Sequence, residues 1–219
     1  MGLPARRRAV LPAGRHSRYR RVVRILGIMT RTSLTHPLRI DTIKVGNAQL
    51  GLSICPGKIQ PQAQTGSWSR DLDIDLDAVK AWGAQTVITL LENTEIRDLN
   101  VPALGAGVAA RGMNWVHLPL PNDAVPDAAW IGEFRKFQPD LSARLTRGEG
   151  IFIHCMGGIG RTSVAAALLL VHAGWPAERS ITAVHKARAE SFVMPEQADY
   201  VRLYARTLAR PPAPGLKPL

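Results

Sequence analysis

Residues 151–171, IFIHCMGGIGRTSVAAALLLV, leave the chain few options. An apolar run of strand length, GIFIHC, comes first. Gly157, Gly158 and Gly160 follow too closely spaced for the interior of a strand or a helix. From Arg161 a run rich in alanine and leucine reads as a helix that ends at Gly174. A strand, a tight glycine loop and a helix start therefore stand in that order.

The same alternation continues on both sides. IDTIKVGNAQLGLSI reads as two short strands joined at Gly46-Asn47, a turn dipeptide. CPGKIQPQAQTGSWS reads as loop from its Pro, Gly and Ser content. The aspartates of RDLDIDLD suit a helix N-terminus, and LDAVKAWG a helix stopped by Gly83. No second ligand cluster accompanies those aspartates, so they read as a solvated cap and not a metal site. TVITLLE and MNWVHLPLP are strands, the latter broken by Pro119, with the helix VPALGAGVAARG between them. A long helical stretch follows that Pro139 should kink or split. Two more helices are expected over 177–189 and 195–208. Strands alternating with helices imply a single α/β domain, a mostly parallel central sheet flanked by helices, over residues 40–210. A basic leader, 1–39, read as disordered, precedes it, and a proline-rich tail, 211–219, follows.

The net charge of +11 suggests a nucleic-acid partner until it is located. Residues 1–31 hold nine arginines and no acidic residue, which leaves +2 for everything after them. The basicity belongs to the leader, and no specific nucleic-acid partner is expected. Arg24 interrupts the leader's apolar residues and denies it the continuous core of a secretory signal. No apolar run approaches the roughly 20 residues that a bilayer requires, so no membrane span is expected. Cys55 and Cys155 form neither a disulfide framework nor a zinc-ligand spacing, which argues for a reducing, cytoplasmic setting without a metal.

In open α/β sheets ligands bind at the carboxyl ends of strands, where the glycine loop lies. Glycines let successive N–H groups of Met156, Gly157, Gly158, Ile159 and Gly160 curl around an anion, and the following helix N-terminus adds its field. The same field favours an ionised cysteine, so Cys155 is the candidate nucleophile beneath a bound phosphate. Arg161 returns to the mouth of the loop, where its planar fork can hold two phosphate oxygens. Thr162 supplies a hydroxyl close to the sulfur, able to stabilise it as a leaving group. His154 is expected to hydrogen-bond backbone groups and orient the loop, or to be an ordinary strand-end histidine.

The pattern H-C-x-x-G-x-x-R-[ST] resembles the signature of the cysteine-dependent protein-tyrosine phosphatase superfamily, in its dual-specificity branch. LGLSICPGKIQ, HLPLPNDAVPD and the order of elements are similar to the kinase-associated phosphatase (cyclin-dependent kinase inhibitor 3) subgroup. The resemblance implies a phosphatase fold, a cysteinyl-phosphate intermediate, a phosphorylated protein or peptide as substrate, and neither metal nor cofactor. It also implies an aspartate that protonates the leaving oxygen. Relatives usually place it four residues before the loop's proline, which here is Asn122; Asp123 is the favoured candidate, with Asp127 or no acid at all as alternatives. Gln197 matches a glutamine that some relatives use to position the hydrolytic water, or is a polar residue at a helix start. Two competing readings are a phosphate-binding pseudophosphatase, because the acid is displaced, and a rhodanese-like or arsenate-reducing enzyme. Rhodaneses usually carry a loop one residue shorter, so the spacing disfavours them.

Overall fold

The computed structural model describes residues 30–122 and 124–209. Strands β1 (Asp41–Val45) and β2 (Ala48–Ser53) form the expected hairpin, turning at Gly46 with φ of 59°. After β3 (Ile59–Ala63) and β4 (Gly66–Ser69) come α1 (Leu72–Trp82), β5 (Ala84–Thr89), α2 (Asn93–Asp98), α3 (Leu104–Ala110) and β6 (Asn114–His117). Then follow α4 (Ala128–Thr146), β7 (Gly150–His154), α5 (Gly160–His172), α6 (Ala177–Ala187) and α7 (Pro195–Ala209). The central sheet has the order β1-β2-β7-β5-β6, parallel throughout except for the β1–β2 pair. This is the mixed α/β domain that the alternation predicts.

Helices cover both faces of the sheet. Ile151 and Ile153 of β7 point into a core with Trp130 and Phe134 of α4, Val164 to Leu170 of α5, Val184 of α6 and Val201 of α7. Phe152 points the other way, against Leu76 and Val79 of α1 and Leu104 and Val108 of α3. Ile151, Phe152 and Ile153 are fully buried, each worth about 1.5–3 kcal/mol on the usual scale for a large apolar side chain. The strand that presents the glycine loop is thus the best-anchored element of the sheet. Helix α5, buried from Arg161 to Leu170, is the hub that α4, α6 and α7 surround.

The sequence misleads at three places. Residues 55–69, read as loop, contain the two-stranded hairpin β3–β4. Its residues are mostly polar and half-exposed, so burial leaves no alternation to read. Pro139 does not split α4, which runs through it for 19 residues. A proline there removes the bond that its nitrogen would give to the Arg135 carbonyl, and the buried Phe134 and Leu141 hold the helix on either side. The helix read over 101–112 begins only at Leu104, and an unforeseen one-turn helix, α2, precedes it.

Residues 30–39, counted above with the leader, lie against the domain: the Arg31 amide donates to the Ser67 carbonyl at 2.9 Å, and the Arg70 guanidinium to the His36 carbonyl at 2.8 Å, while the rest of the leader and the tail 211–219 lie outside the described residues. The expected caps hold, with Asp71 accepting from the Ile74 amide at 2.9 Å. Asp75, however, is buried in a two-bond pair with Arg70, both bonds 2.7 Å. Among the described residues no group of His, Cys, Asp and Glu could hold a metal, and no helix is long and apolar enough to cross a membrane.

Candidate active site

Parallel pairing sets Ser53, His154 and Thr89 side by side at the carboxyl edge of β2, β7 and β5. The chain then turns through Cys155–Ile159 into α5. Gly158 has φ of 68°, and a Cβ on it would stand 2.2 Å from the Ser53 carbonyl oxygen. Only glycine permits both that backbone conformation and that approach. The Gly158 amide donates to Cys155 Sγ at 3.2 Å. Among the described residues the amides of Met156, Gly157 and Ile159 donate to no protein group, and those of Gly160 and Arg161 open the helix, where no intrahelical acceptor exists. One loop amide thus faces the sulfur, and its neighbours carry no protein acceptor among the described residues.

A cleft of about 450 Å³ opens above it, lined by Cys155, Met156, Gly157, Ile159, Gly160 and Arg161 from the loop. Asn122 and Gln197 line it as well, and the β3–β4 hairpin contributes a wall from Gln60 to Thr65. The segment read as loop thus forms one side of the site.

Arg161 is 2% exposed and shares its fork. Nη1 and Nη2 donate to Glu95 Oε2 and Oε1 at 2.6 and 2.7 Å, and Nη1 also donates to the carbonyls of Leu120 (2.9 Å) and Leu90 (3.3 Å). These bonds leave the Nε/Nη2 edge for two oxygens of an anion in the cleft. Burial is the largest single influence and works against the guanidinium charge, but the Glu95 hydrogen bonds together with the neighbouring Cys155, Glu95 and Glu92 raise the Arg161 pKa. Glu95 is the functional residue that the sequence reading missed. It sits on α2, where its carboxylate also accepts from the Glu92 amide at 2.9 Å, and that box spacing at a helix start was its one sequence signal.

Arg188 braces the loop from outside, donating to the Gly157 carbonyl at 3.0 Å while paired with Asp41 at 2.7 Å. Gln197 is 1% exposed, and its Nε2 has no partner among the described residues and faces Gly160. Thr162 is fully buried in the first turn of α5, but its hydroxyl makes no hydrogen bond, to Cys155 or otherwise, among the described residues. The expected hydroxyl–sulfur contact is not formed. Asp123 lies outside the described residues. Asp127 caps α4, accepting from the Trp130 amide at 2.7 Å, and lines a different cavity, so its carboxylate is already committed.

His154 is fully buried, with Nδ1 3.4 Å from the Cys155 carbonyl and Nε2 2.8 Å from Thr89 Oγ1. A carbonyl only accepts, so the proton belongs on Nδ1 and Thr89 donates to Nε2. Thr89 in turn accepts from Trp115 Nε1 at 2.9 Å. The histidine therefore meets a side chain as well as the expected backbone group. Burial, seconded by the nearby Arg161 charge, pulls its pKa down to about 3. Between that value and the ordinary 6.5 the unfolded chain binds a proton that the folded chain refuses, so stability must fall as pH drops through this window. Urea midpoints at pH 6.5, 5.5 and 4.5 should show a loss approaching 1.4 kcal/mol per unit from this residue, flattened in His154→Gln. An unchanged slope in that variant would remove the assignment.

The comparisons with known proteins agree with this geometry. A family model described as "Polymorphic toxin system, DSP-PTPase phosphatase" matches residues 67–175, which span β4 to the end of the cysteine loop's helix. Over this span, about half of the chain, the protein is similar to the dual-specificity phosphatase family. A curated relative, cyclin-dependent kinase inhibitor 3 of Mus musculus, is 31% identical over 121 residues, covering 55% of this chain and 54% of the relative. The chain thus spans about half the length of the curated relatives it matches. Among solved structures, kinase-associated phosphatase with serine at its catalytic cysteine aligns with a TM-score of 0.68 at 23% identity, over 79% of this chain and 97% of that one. Tk-PTP in its active form aligns at 0.57 and 20% identity, over 76% and 97%. These likenesses show the dual-specificity phosphatase fold, with the cysteine loop between a central strand and a buried helix.

Proposed function

We propose that this protein is a phosphoprotein phosphatase, tyrosine-directed or dual-specificity, acting through a cysteinyl-phosphate. The observation that carries the reading is the Gly158 amide on Cys155 Sγ, at the floor of a cleft where Arg161 keeps one guanidinium edge unused. The sulfur attacks phosphorus, forming a P–S bond as the P–O bond to the substrate breaks and the leaving oxygen takes a proton. The loop amides and Arg161 hold the equatorial oxygens, where their charge grows. Water, held by the Gln197 amide, then displaces the sulfur and releases inorganic phosphate.

Asp123 is the proposed proton donor. On an aryl phosphate, Asp123→Ala should lower kcat by about 100-fold and erase the basic limb of the pH–rate profile. Asn122→Ala should change kcat by less than about threefold, since an amide is no proton donor. The reverse ranking would sink this assignment. A pseudophosphatase is the second reading, favoured because Asn122 lines the cleft at the position where relatives carry the acid. It requires phosphopeptide binding with no release of phosphate, and measurable turnover by the wild type excludes it.

A further inference from the structure

A second cavity, of about 520 Å³, lies beside the active-site cleft and shares Lys58, Thr65, Gly157 and Ile159 with it. Arg31, Arg39, Lys58, Arg70 and Arg188 line it, against the single acidic residue Glu190. Their partners are unequal. Arg70 is neutralised by Asp75, and Arg39 and Arg188 share the one carboxylate of Asp41, each at 2.7 Å. Arg31 and Lys58 have no ion pair among the described residues. Both stand over the Trp68 ring, at 5.0 and 5.1 Å from its centre. Lys58 is 3% exposed, and its ammonium donates to Gln60 Oε1 at 3.1 Å. Burial pulls it below the usual lysine range. A buried cation without a counter-ion is costly unless something anionic joins it. The Arg188 Nε is buried with no hydrogen-bond partner among the described residues, a donor left for an incoming anion.

We propose that this cavity is a second anion site, taking a further phosphate or carboxylate on the same peptide whose phosphate lies at Cys155. The proposal rests on the phosphatase reading and adds a substrate class to it: peptides with two negative groups close together. Gly157 and Ile159 of the cysteine loop form the wall between the two spaces. An extended peptide advances about 3.3 Å per residue, so the second group belongs within a few residues of the first. Trp68, Ile54 and Pro37 put apolar surface among the cations, which suits a peptide side chain better than a polyhydroxylated headgroup.

The test uses phosphotyrosine and phosphothreonine peptides with a second phosphoserine, or serine, placed one to three residues to either side. Titrated into Cys155→Ser protein, at least one doubly phosphorylated peptide should bind about tenfold more tightly than its serine parent. The added substitutions Arg31→Gln and Arg39→Gln should reduce that preference to less than about twofold, while in the wild-type background they leave kcat/KM on a small aryl phosphate unchanged. Equal affinity at every spacing, or a preference that survives both substitutions, overturns the subsite. A soluble inositol polyphosphate that competes at lower concentration than the best peptide overturns the peptide assignment. If the wild type hydrolyses no phosphate ester, the phosphatase reading falls, and the binding comparison still decides the subsite.

Discussion

Cys155→Ser should abolish turnover, slowing aryl phosphate hydrolysis by about 10⁵-fold, as loss of a covalent nucleophile does. The substitution keeps the side chain's shape and exchanges a thiol for a hydroxyl, a far weaker nucleophile. The Gly158 amide, 3.2 Å from Sγ, would then face a neutral oxygen, and no anion would be there to attack phosphorus. The rest of the cradle is main chain and Arg161, which the change leaves in place. Folding stability should therefore shift by less than about 1 kcal/mol, and phosphopeptide affinity should persist. Aryl phosphate kinetics beside titration calorimetry measure both. A variant that retained a hundredth of the activity, or lost binding together with turnover, would exclude this sulfur as the nucleophile.

Glu95→Gln should destabilise the protein by about 3–5 kcal/mol, the usual cost of removing one member of a buried pair, and lower kcat/KM by about 100-fold or more. The carboxylate holds both Nη atoms of Arg161 at 2.6 and 2.7 Å and fixes the direction of the remaining edge. Without it a buried guanidinium loses its compensation, and the fork is free to rotate away from the cleft. The effects should separate in a cycle. Adding Arg161→Met removes the stranded charge and should restore much of the urea midpoint, while activity stays lost. A destabilisation under about 1 kcal/mol would mean that the pair behaves as an exposed one.

What the sequence made legible follows from how strongly burial constrains each segment. Ile151 to Ile153 lie in the middle of the sheet, so every side chain must be apolar, and the strand announces itself. Gly158 must be glycine because the Ser53 carbonyl leaves no room for a Cβ, and the loop announces itself too. The β3–β4 hairpin is polar and covered on one side at most, and nothing in Gln60 to Thr65 distinguishes a strand from a loop. Glu95 was illegible for another reason: an acidic residue at a helix start is ordinary, and its buried partner lies 66 residues away. The wall of cations at Trp68 was equally hidden, since Arg31, Lys58 and Arg188 come from three distant segments. Pairings between distant residues, unlike period and spacing, leave no local trace.

The strand order carries a practical consequence. β2 separates β1 from β7, and its terminal carbonyl buttresses Gly158. The span 67–175 that matches the family begins after both β1 and β2 and ends before α6 and α7. Excised alone, it would bare one long side of its most hydrophobic strand, an open template for aggregation. An expressible fragment has to begin before Asp41 and run past Tyr204, well beyond the homologous stretch at both ends.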